Sequence, residues 1–149
     1  MKTAQYEGDL HVLAKWAVDR DTGEPPEPYR SWVKALLPPG HIGYFAGMVT
    51  PSTPTVDGWA QGYPHAHVIS VGWKDPCQIS AITYVGIPEE GGEFGYGGLN
   101  KDDPYVLVPV KPGLTVFVDA ATWHGVKPVL SGARVALVAT TFPEPGNDV

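Results

Sequence analysis

Cysteine is nearly absent: Cys77 is the single one among 149 residues, so an internal disulfide is excluded and a reducing cytoplasm is the expected compartment. The opening residues, Met1-Lys2-Thr3-Ala4-Gln5-Tyr6-Glu7, lack the apolar stretch of a secretory leader, in line with that expectation. Long hydrophobic runs are also missing. No segment approaches the roughly 20 apolar residues of a membrane-spanning helix, so a soluble protein with no membrane partner is expected. Positive charge is scarce, with 10 Lys plus Arg against 16 Asp plus Glu and a net charge of −6. A chain without a basic face cannot neutralise a phosphate backbone, and nucleic acid is not expected as a partner. Neither a Gly-x-Ser-x-Gly elbow nor a phosphate- or dinucleotide-binding glycine fingerprint occurs. Cys77 follows Asp75-Pro76 with no base beside it, which argues against a nucleophilic role.

What is present is a loop-rich apolar chain. The 18 glycines and 16 prolines approach the level of low-complexity sequence, but 43% of the residues are hydrophobic and the aromatics are spread along the whole length. A single folded domain over 1–149 is therefore expected, not disorder. Two helical patterns come first: Leu10, Leu13, Trp16 and Ala17 behind a capping Asp9, then Trp32, Val33, Leu36 and Leu37 before Pro38-Pro39-Gly40. Beyond residue 42 the period changes to two. Short β-branched and aromatic runs near 42–49, 65–71, 78–85, 93–96, 105–110, 114–118, 125–129 and 134–142 read as strands separated by Gly, Pro, Asp and Asn. So many short strands fit an all-β core, a two-sheet barrel or jelly roll whose facing sheets enclose a pocket, preceded by two short helices. Residues 49–62 read as a long mobile loop, either a lid or plain surface.

Two of the five histidines stand in Tyr63-Pro64-His65-Ala66-His67. On a strand, positions i and i+2 share a face, so His65 and His67 can address one point. His124 follows another predicted strand. Three neutral imidazoles from neighbouring strands can hold a divalent metal while leaving coordination positions open. The competing reading is a surface strand with two exposed imidazoles. Asp119 is either an oxygen ligand or, as more often at a strand end, a turn former. Trp123 is either a pocket wall or core. His11 and His41 have no partner at ligand spacing and read as surface residues.

The C-terminal third narrows these options. Val110-Lys111-Pro112-Gly113-Leu114-Thr115-Val116-Phe117-Val118-Asp119, then Trp123-His124-Gly125-Val126-Lys127-Pro128-Val129, then Gly132-Ala133-Arg134-Val135-Ala136-Leu137 resembles the iron(II)- and 2-oxoglutarate-dependent oxygenases, in particular their prolyl-hydroxylase-like branch. In that family a Pro-Gly turn leads a strand toward the distal metal-binding histidine, and an arginine ten positions later pairs with the far carboxylate of 2-oxoglutarate. The matching positions are His124 and Arg134. An arginine suits the second role because its planar fork meets a carboxylate through two hydrogen bonds and keeps its charge when buried. Ala81-Ile82-Thr83-Tyr84-Val85 and Glu89-Glu90-Gly91-Gly92-Glu93-Phe94 are similar to the family's central strand and its Gly-Gly-Glu turn, which implies that Tyr84 reaches the co-substrate and that Glu93 is not a ligand. The resemblance spans roughly residues 63–143 and implies a double-stranded β-helix.

One position departs from the family pattern. Its His-x-Asp motif is here His65-Ala66-His67, without the carboxylate. Three readings stand: His67 ligates in its place; only His65 and His124 bind, with water or halide in the gap; or His67 is the first ligand and Ile69 falls where the carboxylate belongs, giving an inactive or remodelled site. The first gives a metal set of His65, His67 and His124. The resemblance then implies oxidation of a small organic substrate by molecular oxygen, with Fe(II) as metal and 2-oxoglutarate as co-substrate held by Arg134 and Tyr84.

Two other functions compete with it. A cupin-like three-histidine dioxygenase needs no 2-oxoglutarate, but the glutamate it carries is absent from Val68-Ile69-Ser70-Val71-Gly72. A jelly-roll binding module needs no metal. Substrate identity stays open, with Trp59, Trp73 and Trp123 the available pocket aromatics. The chain is shorter than many relatives, which makes a homodimer lending a pocket wall one option for its assembly.

Overall fold

The computed structural model describes residues 2–19, 23–38, 41–52, 79–96, 106–119 and 124–143. Two helices and ten strands follow in the order β1 (Lys2–Gln5), α1 (Leu10–Asp19), α2 (Tyr29–Leu36), β2 (His41–Pro51), β3 (Ile79–Gly86), β4 (Glu90–Gly91), β5 (Phe94–Tyr96), β6 (Val106–Val108), β7 (Leu114–Asp119), β8 (His124–Val126), β9 (Val129–Ser131) and β10 (Ala133–Pro143). The described chain is thus mostly β with two helices near its start. The expected strand at 65–71 and loop residues 53–62 lie outside the described residues. No described helix is long and apolar enough to cross a membrane.

Asp9 caps α1 as the sequence suggests, its Oδ1 accepting the N–H groups of His11 at 2.9 Å and Val12 at 3.4 Å. Leu13, Trp16 and Ala17 then bury one face. The second helix begins earlier than its apolar pattern, at Tyr29, because the Glu27 carboxylate accepts hydrogen bonds from both the backbone N–H and the hydroxyl of Ser31. Glu24 bridges Arg30 and Lys34 on its exposed side.

Among the described residues every strand pair is antiparallel, in a five-stranded sheet ordered β1-β7-β3-β10-β2, a three-stranded sheet ordered β6-β5-β8 and a β4-β9 ribbon. The period of two divides the large sheet into two buried faces. Ala81, Val85, Phe117, Leu137 and Ala139 meet the helices in one core. Ile82, Tyr84, Val116, Val118 and Ala136 meet Phe94 of β5 and Val126 of β8 in the other. Gly47 brings α1 directly onto β2, since a Cβ there would lie 2.5 Å from Ala17 Cα and 2.3 Å from its carbonyl oxygen.

A row of buried hydroxyls ties α2 to the sheet: Tyr29 is hydrogen-bonded to Thr83 at 2.8 Å, and Thr83 to Thr115 at 2.8 Å. Burial pushes the Tyr29 phenol up to about 12, with the Thr83 hydrogen bond acting in the opposite direction. The unfolded chain releases this proton near 10 and the folded chain only near 12, so between those values the unfolded state binds fewer protons and stability falls as pH rises. The contribution is complete below the unfolded value and amounts to about 2–3 kcal/mol lost across the window. Urea unfolding at about pH 9 and about pH 12 is expected to show that loss, with a smaller difference in Tyr29→Phe.

Three expectations need correction. The run at 125–129 is two strands, interrupted where Lys127 N–H donates to the Glu93 carbonyl at 2.8 Å and the Pro128 carbonyl accepts from Gly92 N–H at 3.0 Å. Residues 49–51, assigned to a loop, continue β2 opposite Ala133, Arg134 and Val135; a proline at 51 fits a strand that ends the sheet order among the described residues. β1 and β4 are additional strands, formed by a polar segment on the edge of β7 and by Glu90 and Gly91, the latter one of two successive positive-φ glycines, 91 and 92.

Candidate anion site between the sheets

The register across β2, β10 and β3 sets Met48, Ala136 and Tyr84 side by side, with Arg134 two residues earlier on β10, opposite Thr50. A bulge sits at the same point: Val135 pairs with Gly86 and Ala136 with Tyr84, so Val85 is the extra residue of β3. Bulges next to functional sites re-aim side chains. Tyr84 accordingly joins the core between the sheets while Val85 joins the one beneath the helices.

Arg134 is 1% exposed. Its Nη1 donates to Met48 Sδ at 3.5 Å, and its guanidinium carbon lies 4.9 Å from the centroid of the Tyr84 ring. Its Nε has no hydrogen-bond partner, and the hydroxyl of fully buried Tyr84 has none either. Among the described residues no carboxylate forms an ion pair with Arg134. A guanidinium does not shed its proton when buried. The desolvation cost of an unpaired buried ion is several kcal/mol, whereas a thioether and an aromatic face return only about 1–2 kcal/mol. Among the described residues nothing supplies the anion that such an arrangement calls for, and a carboxylate would match the fork best. Burial pushes the Tyr84 phenol up, while the charge and the N–H groups of the neighbouring Arg134 pull it back; the phenol stays protonated at neutral pH and has a proton to donate.

His124 stands on β8, half-buried and opposite Tyr96, with its ring stacked on Phe94 at a centroid distance of 6.2 Å. Phe94 belongs to the core that holds Tyr84 and Ala136. Of the expected site residues, Arg134 thus lies over the Tyr84 ring, and His124 stacks on Phe94 of the core to which Tyr84 belongs. His65, His67, Cys77, Trp59, Trp73 and Trp123 lie outside the described residues. Among the described residues no three His, Cys, Asp or Glu gather as a metal site. His11 is exposed on α1, as expected of a surface residue, and Asp119 ends β7 opposite Ile79. Met48 was not apparent as a site residue, because its place beside Arg134 depends on a pairing across 86 residues.

The fold is that of a known hydroxylase structure. A crystal structure of a Pseudomonas putida prolyl-4-hydroxylase superposes with a TM-score of 0.64 over 99% of this chain and 88% of that one. Identity is 17%, so the likeness is one of fold. No family model and no curated protein matches the sequence.

Proposed function

We propose that the chain is a single-domain double-stranded β-helix oxygenase that oxidises a small organic substrate with molecular oxygen, Fe(II) and 2-oxoglutarate. The observation that carries the reading is Arg134, buried with no carboxylate paired to it among the described residues, ten positions after His124 on the strand next to Tyr84. The orphaned Arg134 Nε and Tyr84 hydroxyl fit the far carboxylate of a keto diacid. His124 would hold the metal together with His65 and His67. Bound there, Fe(II) would supply oxygen activation coupled to oxidative decarboxylation of 2-oxoglutarate.

The remaining work falls to this chain's own groups. Arg134 binds and orients the dicarboxylate through its fork, with the phenol of Tyr84 donating a further hydrogen bond. Ile82, Phe94, Val116 and Val126 make the surrounding space apolar and exclude water, which strengthens each of these interactions. A three-histidine dioxygenase without 2-oxoglutarate would leave Arg134 without a partner. The Pseudomonas putida neighbour is a prolyl-4-hydroxylase, which puts a prolyl side chain among the candidate substrates beside free amino acids and small metabolites. A cytoplasmic location belongs to the same reading.

The test is anaerobic titration of metal-free protein with Fe(II) and then 2-oxoglutarate. A visible charge-transfer band of the chelated keto acid is the expected result. Tight Fe(II) binding without the band supports the three-histidine alternative, and absence of Fe(II) binding leaves a jelly-roll binding module.

A further inference from the structure

We infer that Met48 is the positioning residue of the carboxylate anchor and that its oxidation switches the anchor off; this rests on the 2-oxoglutarate reading of Arg134. Ala136 lies between Met48 and Tyr84 in the register and carries only a methyl group. The Arg134 guanidinium reaches both neighbours, with the Tyr84 ring at 4.9 Å and Met48 Sδ at 3.5 Å. The two side chains fix the fork in a defined orientation. A thioether suits its side of this clamp because sulfur is a weak acceptor: it occupies Nη1 without competing with an incoming carboxylate.

Oxidation reverses that property. Hydrogen peroxide transfers one oxygen atom to Sδ; the sulfur gives up two electrons, the O–O bond breaks and water leaves. The sulfoxide oxygen is polar and projects from the sulfur that already touches Nη1. It takes the guanidinium N–H as a strong acceptor and turns the fork away from the carboxylate. Met48 is half-buried, within reach of a small oxidant, and the other methionine of the chain is Met1. The change is reversible by methionine sulfoxide reductase.

The experiment treats metal-free protein with peroxide, removes the peroxide with catalase, and quantifies Met48 sulfoxide by peptide mass. Fe(II) and 2-oxoglutarate affinities are then measured anaerobically. Loss of about one charge-assisted hydrogen bond predicts 2-oxoglutarate affinity reduced about tenfold or more, with Fe(II) affinity unchanged and recovery after reductase treatment. Met48→Leu conserves the packing volume but removes the sulfur from Nη1, and is expected to bind 2-oxoglutarate more weakly than untreated wild type and to show no further loss on peroxide treatment. Met48→Gln, with an amide oxygen in place of the sulfoxide, is expected to reproduce the loss without peroxide. Met48 sulfoxide with unchanged affinity overturns the inference, as does an equal peroxide-induced loss in Met48→Leu. If untreated protein binds Fe(II) but not 2-oxoglutarate, the reading of Arg134 fails, and this inference fails with it.

Discussion

Arg134→Met is expected to weaken 2-oxoglutarate binding at least about a hundredfold and, at the same time, to raise the stability of the ligand-free protein by about 1 kcal/mol or more. The two effects have one cause. In the ligand-free fold the guanidinium is 1% exposed, contacts a thioether and an aromatic face, and leaves Nε without a partner. An apolar side chain of similar length removes that desolvation penalty and still fills the space over Ala136. With ligand present the order reverses, because a buried bidentate ion pair is lost and the incoming carboxylate meets no cation. Thermal unfolding with and without saturating 2-oxoglutarate checks both halves: wild type is stabilised by the ligand, and the variant starts higher and does not move. A variant that unfolds well below wild type without ligand would show that Arg134 is a structural residue satisfied within the fold. Fe(II) affinity serves as the control and stays unchanged.

The parts of this fold that were legible in the sequence are those whose residues satisfy their own local rules. β3 and β10 are runs of β-branched, small and aromatic residues whose composition marks them as strands without knowledge of their neighbours, and Asp9 carries its capping role in its side chain. β1 was hidden because Lys2-Thr3-Ala4-Gln5 has no apolar alternation; it is a strand only because β7 offers it an edge. The break at Lys127-Pro128 depends on hydrogen bonds to Gly92 and Glu93, more than thirty residues earlier. Such contacts leave no periodic trace.

The candidate site divides along the same line. Arg134 and Tyr84 were found by their place within a resemblance, but what gives them chemical weight is that the Arg134 Nε and the Tyr84 hydroxyl are buried without a hydrogen-bond partner. That property belongs to the packed sheet and not to the residue types. Met48 shows the converse: it lies on an expected strand, yet only the β2–β10 register and the small side chain of Ala136 bring its sulfur to the guanidinium. A bulge that shifts β3 by one residue at this point lies beyond any pattern of period two.

His124→Ala is expected to lower Fe(II) affinity by at least about a hundredfold, since even partners that only orient a metal ligand cost 10–100-fold when removed. The fold is expected to survive, because His124 is half-buried at the start of β8 and stacks on Phe94 without belonging to the buried core. Its companion test is His67→Asp, which restores the His-x-Asp spacing absent from this chain. Exchanging a neutral imidazole for a carboxylate makes the donor set more negative by one unit, which favours a divalent cation and leaves Fe(II) binding at least as tight. His67→Ala removes a ligand without that compensation and is expected to bind Fe(II) more weakly than either. Equilibrium Fe(II) titration of the three variants, with 2-oxoglutarate affinity as a second readout, separates the readings of the motif. If His67→Ala binds like wild type while His124→Ala does not, His67 is not a ligand and the metal rests on His65 and His124. If His124→Ala binds like wild type, the ten-residue spacing to Arg134 loses its meaning as a metal-to-carboxylate ruler, although the buried guanidinium still calls for an anion.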